Sequence, residues 1–187
     1  MTVDGVSYQL PPPFMVVATQ NPVEMEGTYP LPEAQRDRFM ARVSMGYPSA
    51  AAEAEMLDRH AGNDPLAELT PVTDAETVRD LIRTAHAVYA APPVKEYVVS
   101  IVRATRGTPD LRLGASPRAA LHLLQAAKAA AAMAGRDHVL PDDVQSIVLP
   151  VLAHRIIPTG ETQLARRSTG EVLQDLMRRV PVPASGR

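Results

Sequence analysis

The sequence predicts a short α/β segment followed by an all-α helical bundle, mostly helical overall, and three observations carry that expectation. Hydrophobic residues make up 45% of the chain, aromatic residues only 4%, and Trp is absent. The core is therefore built from Ala, Val, Leu, Ile and Met, a mix that suits close-packed helices. Strand-like apolar patterns are confined to the segment before Met45, whereas beyond Thr73 the apolar residues follow the 3.6-residue period between Pro and Gly stops. A chain of 187 residues holds one ordinary domain or two small ones. The expected division is residues 1–62 and 63–187, within the Gly- and Pro-containing stretch Gly62 to Pro71.

Taken in order, Asp4-Gly5 between alternating residues predicts a β-hairpin over Thr2 to Tyr8, because a type I′ turn needs positive φ at both central positions. Phe14 to Thr19 is a continuous apolar run closed by Gln20-Asn21-Pro22, the pattern of a strand buried on both faces. A loop over Glu24 to Pro32 leads to one or two helical turns over Glu33 to Phe39, and Met40 to Met45 reads as a second short strand. Ala50 to His60 is helical by propensity. Thr73 with Glu76 forms a capping box for a helix to about Ala90. Further helices are expected over Val94 to Thr105, Pro117 to Ala134 with Ser116 as cap, Pro141 to His154, and from Ser168, boxed with Glu171, to Arg179. These make a five-helix bundle without sequence repeats.

Charge and composition exclude several functions. With 19 basic against 21 acidic residues there is no bulk positive field to hold nucleic acid. The absence of Cys removes disulfides, thiol nucleophiles and thiolate metal sites, and makes the cytoplasm the default location. No apolar run reaches the ~18 residues of a membrane span. The five histidines, His60, His86, His122, His138 and His154, show no metal-ligand spacing and are read as ordinary histidines.

Ala18-Thr19-Gln20-Asn21-Pro22, then Glu26-Gly27-Thr28-Tyr29-Pro30-Leu31-Pro32-Glu33-Ala34-Gln35 and Asp37-Arg38-Phe39, resemble the MoxR family of AAA+ ATPases. The order continues similarly with Gly46-Tyr47-Pro48, Gly114-Ala115-Ser116-Pro117-Arg118-Ala119 and Gly135-Arg136 before Pro141-Asp142-Asp143-Val144. The resemblance spans nearly the whole chain. It implies that the first segment is the C-terminal part of an AAA+ α/β core and the second its helical lid.

The resemblance also implies roles. Asn21 matches sensor 1, a polar side chain at the carboxyl end of a strand, where open α/β sheets place ligands. Arg38 matches the arginine finger, whose guanidinium stabilises a transferring phosphoryl group in the neighbouring subunit by roughly 10³ to 10⁵ in rate. Arg36 and Arg42 compete with it for that role. Arg118 matches sensor 2, the lid arginine on the subunit's own nucleotide. In the first turn of its helix a cation opposes the dipole by roughly 0.3 to 1 kcal/mol, which an anionic ligand would explain. Glu24, Glu26 and Arg36 are candidate interface residues, although for Glu24 and Glu26 a structural or solvated loop carboxylate is the favoured reading.

A Gly-x-x-x-x-Gly-Lys-Ser/Thr loop and an Asp-Glu strand end before Phe14 are both absent, so this chain alone is expected neither to bind ATP and Mg²⁺ tightly nor to hydrolyse ATP. The two retained strands are not neighbours in such a core, so they either re-pair or stay poorly ordered. For the complete protein the resemblance implies ATP-driven, chaperone-like remodelling by a homo-oligomeric ring with von Willebrand factor A-domain partners, and neither nucleic acid binding nor membrane insertion. The alternatives are a magnesium-chelatase-like AAA+ subunit and a non-catalytic helical protein-interaction module.

Overall fold

A computed structural model describes residues 2–20, 31–60 and 68–183. In chain order its elements are β1 (Thr2–Val3), β2 (Val6–Ser7), α1 (Glu33–Arg36), α2 (Ala50–His60), α3 (Ala75–Ala87), α4 (Pro92–Gly107), β3 (Leu111–Leu113), α5 (Pro117–Met133), α6 (Pro141–Leu152), β4 (Ile157–Pro158), α7 (Gly160–Leu164) and α8 (Thr169–Arg179). They fall into two compact units, Met1–Met15 with Val43–Leu81, and Val16–Arg42 with Ile82–Arg187. The fold is mostly helical, an α/β remnant with a helical lid.

The first unit holds the hairpin. Thr2 faces Ser7 and Val3 faces Val6, and both turn residues are left-handed, Asp4 at φ 50° and Gly5 at φ 81°. That is the backbone the Asp-Gly pair predicts. α2 matches its expected bounds. α3 starts later than expected because Asp74, not Thr73, caps it: Thr77 N donates to Asp74 Oδ1 at 2.7 Å. A carboxylate outcompetes a hydroxyl for that amide.

Two expected strands are absent. Phe14 to Thr19 is irregular, with Phe14 60%, Met15 81% and Val17 75% exposed. An isolated strand leaves its N–H and C=O groups unpaired, and no described residue pairs with this one. Met40 to Met45 is likewise irregular, tied by the bond from Arg42 N to Pro150 O at 2.8 Å.

The second unit carries the main core. On α5 the buried positions Ala119, Leu123, Ala127 and Ala131 recur every fourth residue. Small side chains along this stripe bring α6 close, so that Val144, Val148, Val151 and Leu152 are buried against it. Ile101 and Val102 of α4 and Val172 and Leu173 of α8 complete the interior. α8 opens with the expected capping box: Glu171 N donates to Ser168 Oγ at 3.2 Å and Ser168 N to Glu171 Oε2 at 2.7 Å. α4 begins at Pro92 rather than after the prolines, since at the first helical positions Pro forfeits no bond. α3 ends before Tyr89 because that residue pairs with the segment before α6, Tyr89 N donating to Asp137 O and Val139 N to Tyr89 O.

The pairing of β3 with β4, and the short α7, were not expected from the sequence. Leu111 faces Pro158 and Leu113 faces Ile157, a ladder too short to leave a period in the sequence. It joins the loop before α5 to the chain after α6.

That loop is tightly fitted. Thr105 Oγ1 accepts from Ala115 N at 2.9 Å and Arg106 Nε donates to Ala115 O at 2.8 Å. A Cβ on Gly114 would stand 2.6 Å from Thr105 O and 2.8 Å from Arg106 Cα. Gly114→Ala should therefore lower stability by about 1–3 kcal/mol, as overpacking against backbone does. A denaturation midpoint equal to that of the unsubstituted chain would contradict this fit.

Candidate functional site

Residues 32 to 42 lie within the second unit, where Asp37 is the point of convergence. α1 is a single turn, and Asp37 closes it through its amide to Glu33 O. Ser116 Oγ, at the residue preceding α5, lies 2.8 Å from Asp37 Oδ1 and 3.0 Å from Oδ2. Ser116 was expected to cap α5 with its own hydroxyl. Its side chain caps no amide, and the hydroxyl serves Asp37 instead. Arg118 Nη1 donates to Asp37 Oδ2 at 3.2 Å, and Arg112 reaches Glu33 at 3.5 Å.

Behind this layer lies Arg155, whose side chain is 0% exposed. Its Nη2 donates to Phe39 O, to Met40 O at 3.4 Å and to His122 Nδ1. Its Nη1 stands 3.9 Å from Asp37 Oδ1 and has no hydrogen-bond partner. Burial pushes the guanidinium down from its ordinary range and Asp37 opposes that shift. The group remains charged, as Arg does in proteins.

His122 and His154 flank it. Burial, then the Arg155 charge, holds both below the usual histidine range, although for His154 a bond to Phe39 O opposes this. Neutral His122 accepts from Arg155 through Nδ1. His154 Nε2 lies 3.1 Å from Phe39 O and 3.2 Å from Arg155 Nε, and one nitrogen serves one of them at a time. A histidine whose folded value is depressed binds its proton more readily when unfolded. Stability is then full above the unfolded value near 6.5 and falls as pH drops from there toward the folded value. Unfolding followed from pH 7.5 to 5.5 should show this loss, and His122→Asn should flatten it; a slope indifferent to both histidines would rule the linkage out.

Of the residues singled out in the sequence, Arg118 and Arg38 fall where their sequence neighbours are gripped. Arg38 is exposed, and its guanidinium has no hydrogen bond or ion pair among the described residues. Arg36 is half-buried, with Nε enclosed and unpartnered. Two residues apart, one points into the fold's surface and the other away from it. Asn21, Glu24 and Glu26 lie outside the described residues.

Asp37, Arg155, His122 and His154 went unrecognised in the sequence. Asp37 stands beside Arg38 within the Asp-Arg-Phe run, and Arg155 interrupts an apolar stretch between Leu152 and Ile156. A cation between core residues was a signal that it needs buried partners.

Ser116 Oγ, Arg118 and Arg155 Nη1, which is ion-paired but not hydrogen-bonded, form an anion-fitting set of donors around the Asp37 carboxylate. The exposed part of that set is weakly held, since an ion pair with Arg118 47% exposed contributes roughly 0–1 kcal/mol. A nucleotide phosphate fits the same chemistry.

Comparison with known proteins identifies the family of this chain. Residues 1–41 match the model of the ATPase family associated with various cellular activities, and residues 103–176 match the AAA lid domain. The chain is 43% identical over 183 residues to the uncharacterized protein YeaC of Bacillus subtilis, covering 98% of this chain and 57% of that protein. It is 36% identical over 193 residues to Chaperone MoxR1 of Mycobacterium tuberculosis, covering 98% of this chain and 50% of that one. A crystal structure of a provisionally assigned ATPase from Cytophaga hutchinsonii superposes with a TM-score of 0.88 at 33% identity, over 98% of this chain and 58% of that one. The chain thus spans about half the length of these relatives. It belongs to the MoxR-type AAA+ ATPases and corresponds to a C-terminal portion of their fold.

Proposed function

We propose that this chain serves ATP hydrolysis in a ring of identical subunits, supplying Asn21 as sensor 1, Arg38 as the finger toward the neighbouring subunit, and Arg118 as the lid arginine toward its own nucleotide. The observation that carries this reading is the contrast within Asp37-Arg38-Phe39: the lid holds both flanking residues, while the guanidinium between them is exposed and has no hydrogen bond or ion pair among the described residues. A cation presented on an anchored segment suits action on a charge outside its own chain.

MgATP, when bound, supplies the transferable phosphoryl group and the metal's countercharge. Arg118 would orient one phosphate from the first turn of α5, with Ser116 beside it, and Arg38 would neutralise charge across the interface. Asn21 would orient the attacking water. Residues 1–62 form the end of the ATPase core and residues 63–187 its lid. The work done by the ring is chaperone-like remodelling or assembly of partner proteins, von Willebrand factor A-domain proteins among them. Its place is the cytoplasm; among the described residues no helix is long and apolar enough to cross a membrane.

Because the phosphate-binding loop and the acidic strand end are not in this sequence, the chain by itself should show no turnover and no saturable MgATP binding at millimolar concentration. Phosphate release measured with purified chain tests this. Turnover above background that is lost in Arg118→Ala would overturn the proposed division of labour.

A further inference from the structure

We propose that Asp37 is a positioning residue that parks Arg118 on the lid and is exchanged for a nucleotide phosphate when the subunit's own site fills. This rests on the nucleotide role proposed for Arg118, and adds that the anion it leaves is built into the same chain.

Three features support the exchange. The carboxylate is the anion that Arg118 pairs with, at 3.2 Å, and it is bonded to Ser116 Oγ beside the first turn of α5. Arg155 Nη1, fully buried and without a hydrogen-bond partner, faces it from 3.9 Å. The buried charge of Arg155 therefore continues to hold the carboxylate when Arg118 leaves. The partners also differ in permanence: Arg155 is enclosed and grips the Phe39 carbonyl, whereas Arg118 is half-exposed and, among the described residues, held by one weak pair. Arg118 is free to leave, and Asp37 stays behind with Ser116 and Arg155.

Parking lowers apparent nucleotide affinity by the fraction of time Arg118 is engaged, so an Arg118 free one-fifth of the time weakens binding about fivefold. Since Asp37 is bonded directly to Arg38, the exchange also leaves the carboxylate beside the finger without the Arg118 countercharge.

The test uses the complete protein, with its phosphate-binding loop, and a fluorescent ATP analogue. Asp37→Asn keeps an acceptor for Ser116 but removes the charge, and should tighten binding about two- to fivefold. Asp37→Glu should restore the original affinity. In an Arg118→Ala background Asp37→Asn should have no further effect, because the competition is gone. Thermal unfolding confirms that each variant is folded, and Asp37→Ser replaces Asp37→Asn should the latter fail to fold. If Arg118→Ala weakens binding but neutralising Asp37 leaves it unchanged or weaker, the parking role is wrong and the nucleotide role of Arg118 stands. If Arg118→Ala binds the analogue as well as the original protein, both are wrong.

Discussion

Mixing subunits that carry Arg38→Ala and an intact phosphate-binding loop with subunits whose loop is disabled but whose Arg38 is intact should restore hydrolysis that neither variant performs alone. The active site proposed here is assembled from one chain's loop and its neighbour's arginine, so a mixed ring contains some sites with both parts. Arg38→Ala alone should lower kcat by roughly 10³ to 10⁵. Nucleotide affinity should hardly change, because a finger stabilises charge that develops in the transition state more than it binds substrate. Arg118→Ala should behave differently, weakening nucleotide binding and resisting rescue by mixing, since the lid arginine serves its own subunit. Rescue by Arg36→Ala subunits in place of Arg38→Ala would move the finger by two residues. The exposed Arg38 and the half-buried Arg36, with its Nε enclosed, argue against that outcome.

Legibility in the sequence followed the range of the interactions. The hairpin, α2, α5 and α8 were readable because local chemistry specifies them: Asp4-Gly5 for the turn, helix propensity over Ala50 to His60, Pro117 at a first helical position, and the reciprocal Ser168 and Glu171 bonds. The strands at Phe14 to Thr19 and Met40 to Met45 were misread because apolar pattern reports what a segment is suited to, while a strand forms only where partners satisfy its backbone. The β3 and β4 pairing, set by contacts across Leu111 to Pro158, has no local signature. The same holds for the site. Arg38 and Arg118 are proposed from motif resemblance. Asp37 and Arg155 act through partners 79 and 116 residues away, Ser116 and the Phe39 carbonyl respectively, and no spacing rule connects those positions.

Arg155→Ala should be among the most destabilising single changes in the lid, costing about 3–5 kcal/mol, the usual range for deleting one member of a buried charged cluster. Three losses combine. The Met40 carbonyl loses its donor and the Phe39 carbonyl its guanidinium donor, His122 Nδ1 loses its partner, and an enclosed volume is left empty. Arg155→Met separates packing from charge. It fills most of the space, removes a guanidinium whose Nη1 is buried without a hydrogen bond, and leaves Phe39 O with His154 at 3.1 Å. Its cost should be smaller, about 1–3 kcal/mol for the remaining unsatisfied groups. Arg155→Lys should resemble Met more than Arg, because one ammonium cannot reproduce the planar fork that reaches Phe39 and His122 together. Urea unfolding of the chain would rank the variants, and hydrogen exchange would localise the effect. Protection of the Arg42 amide, bonded to Pro150 O, should fall in Arg155→Ala well before that of the α5 amides around Leu123. Equal stability of the Ala and Met variants and the unsubstituted chain would mean that Arg155 is not what holds residues 37 to 42 to the lid. In that case the docking of the Arg38 segment would rest on Asp37 with Ser116 and Arg118, a surface cluster that cannot fix a finger by itself.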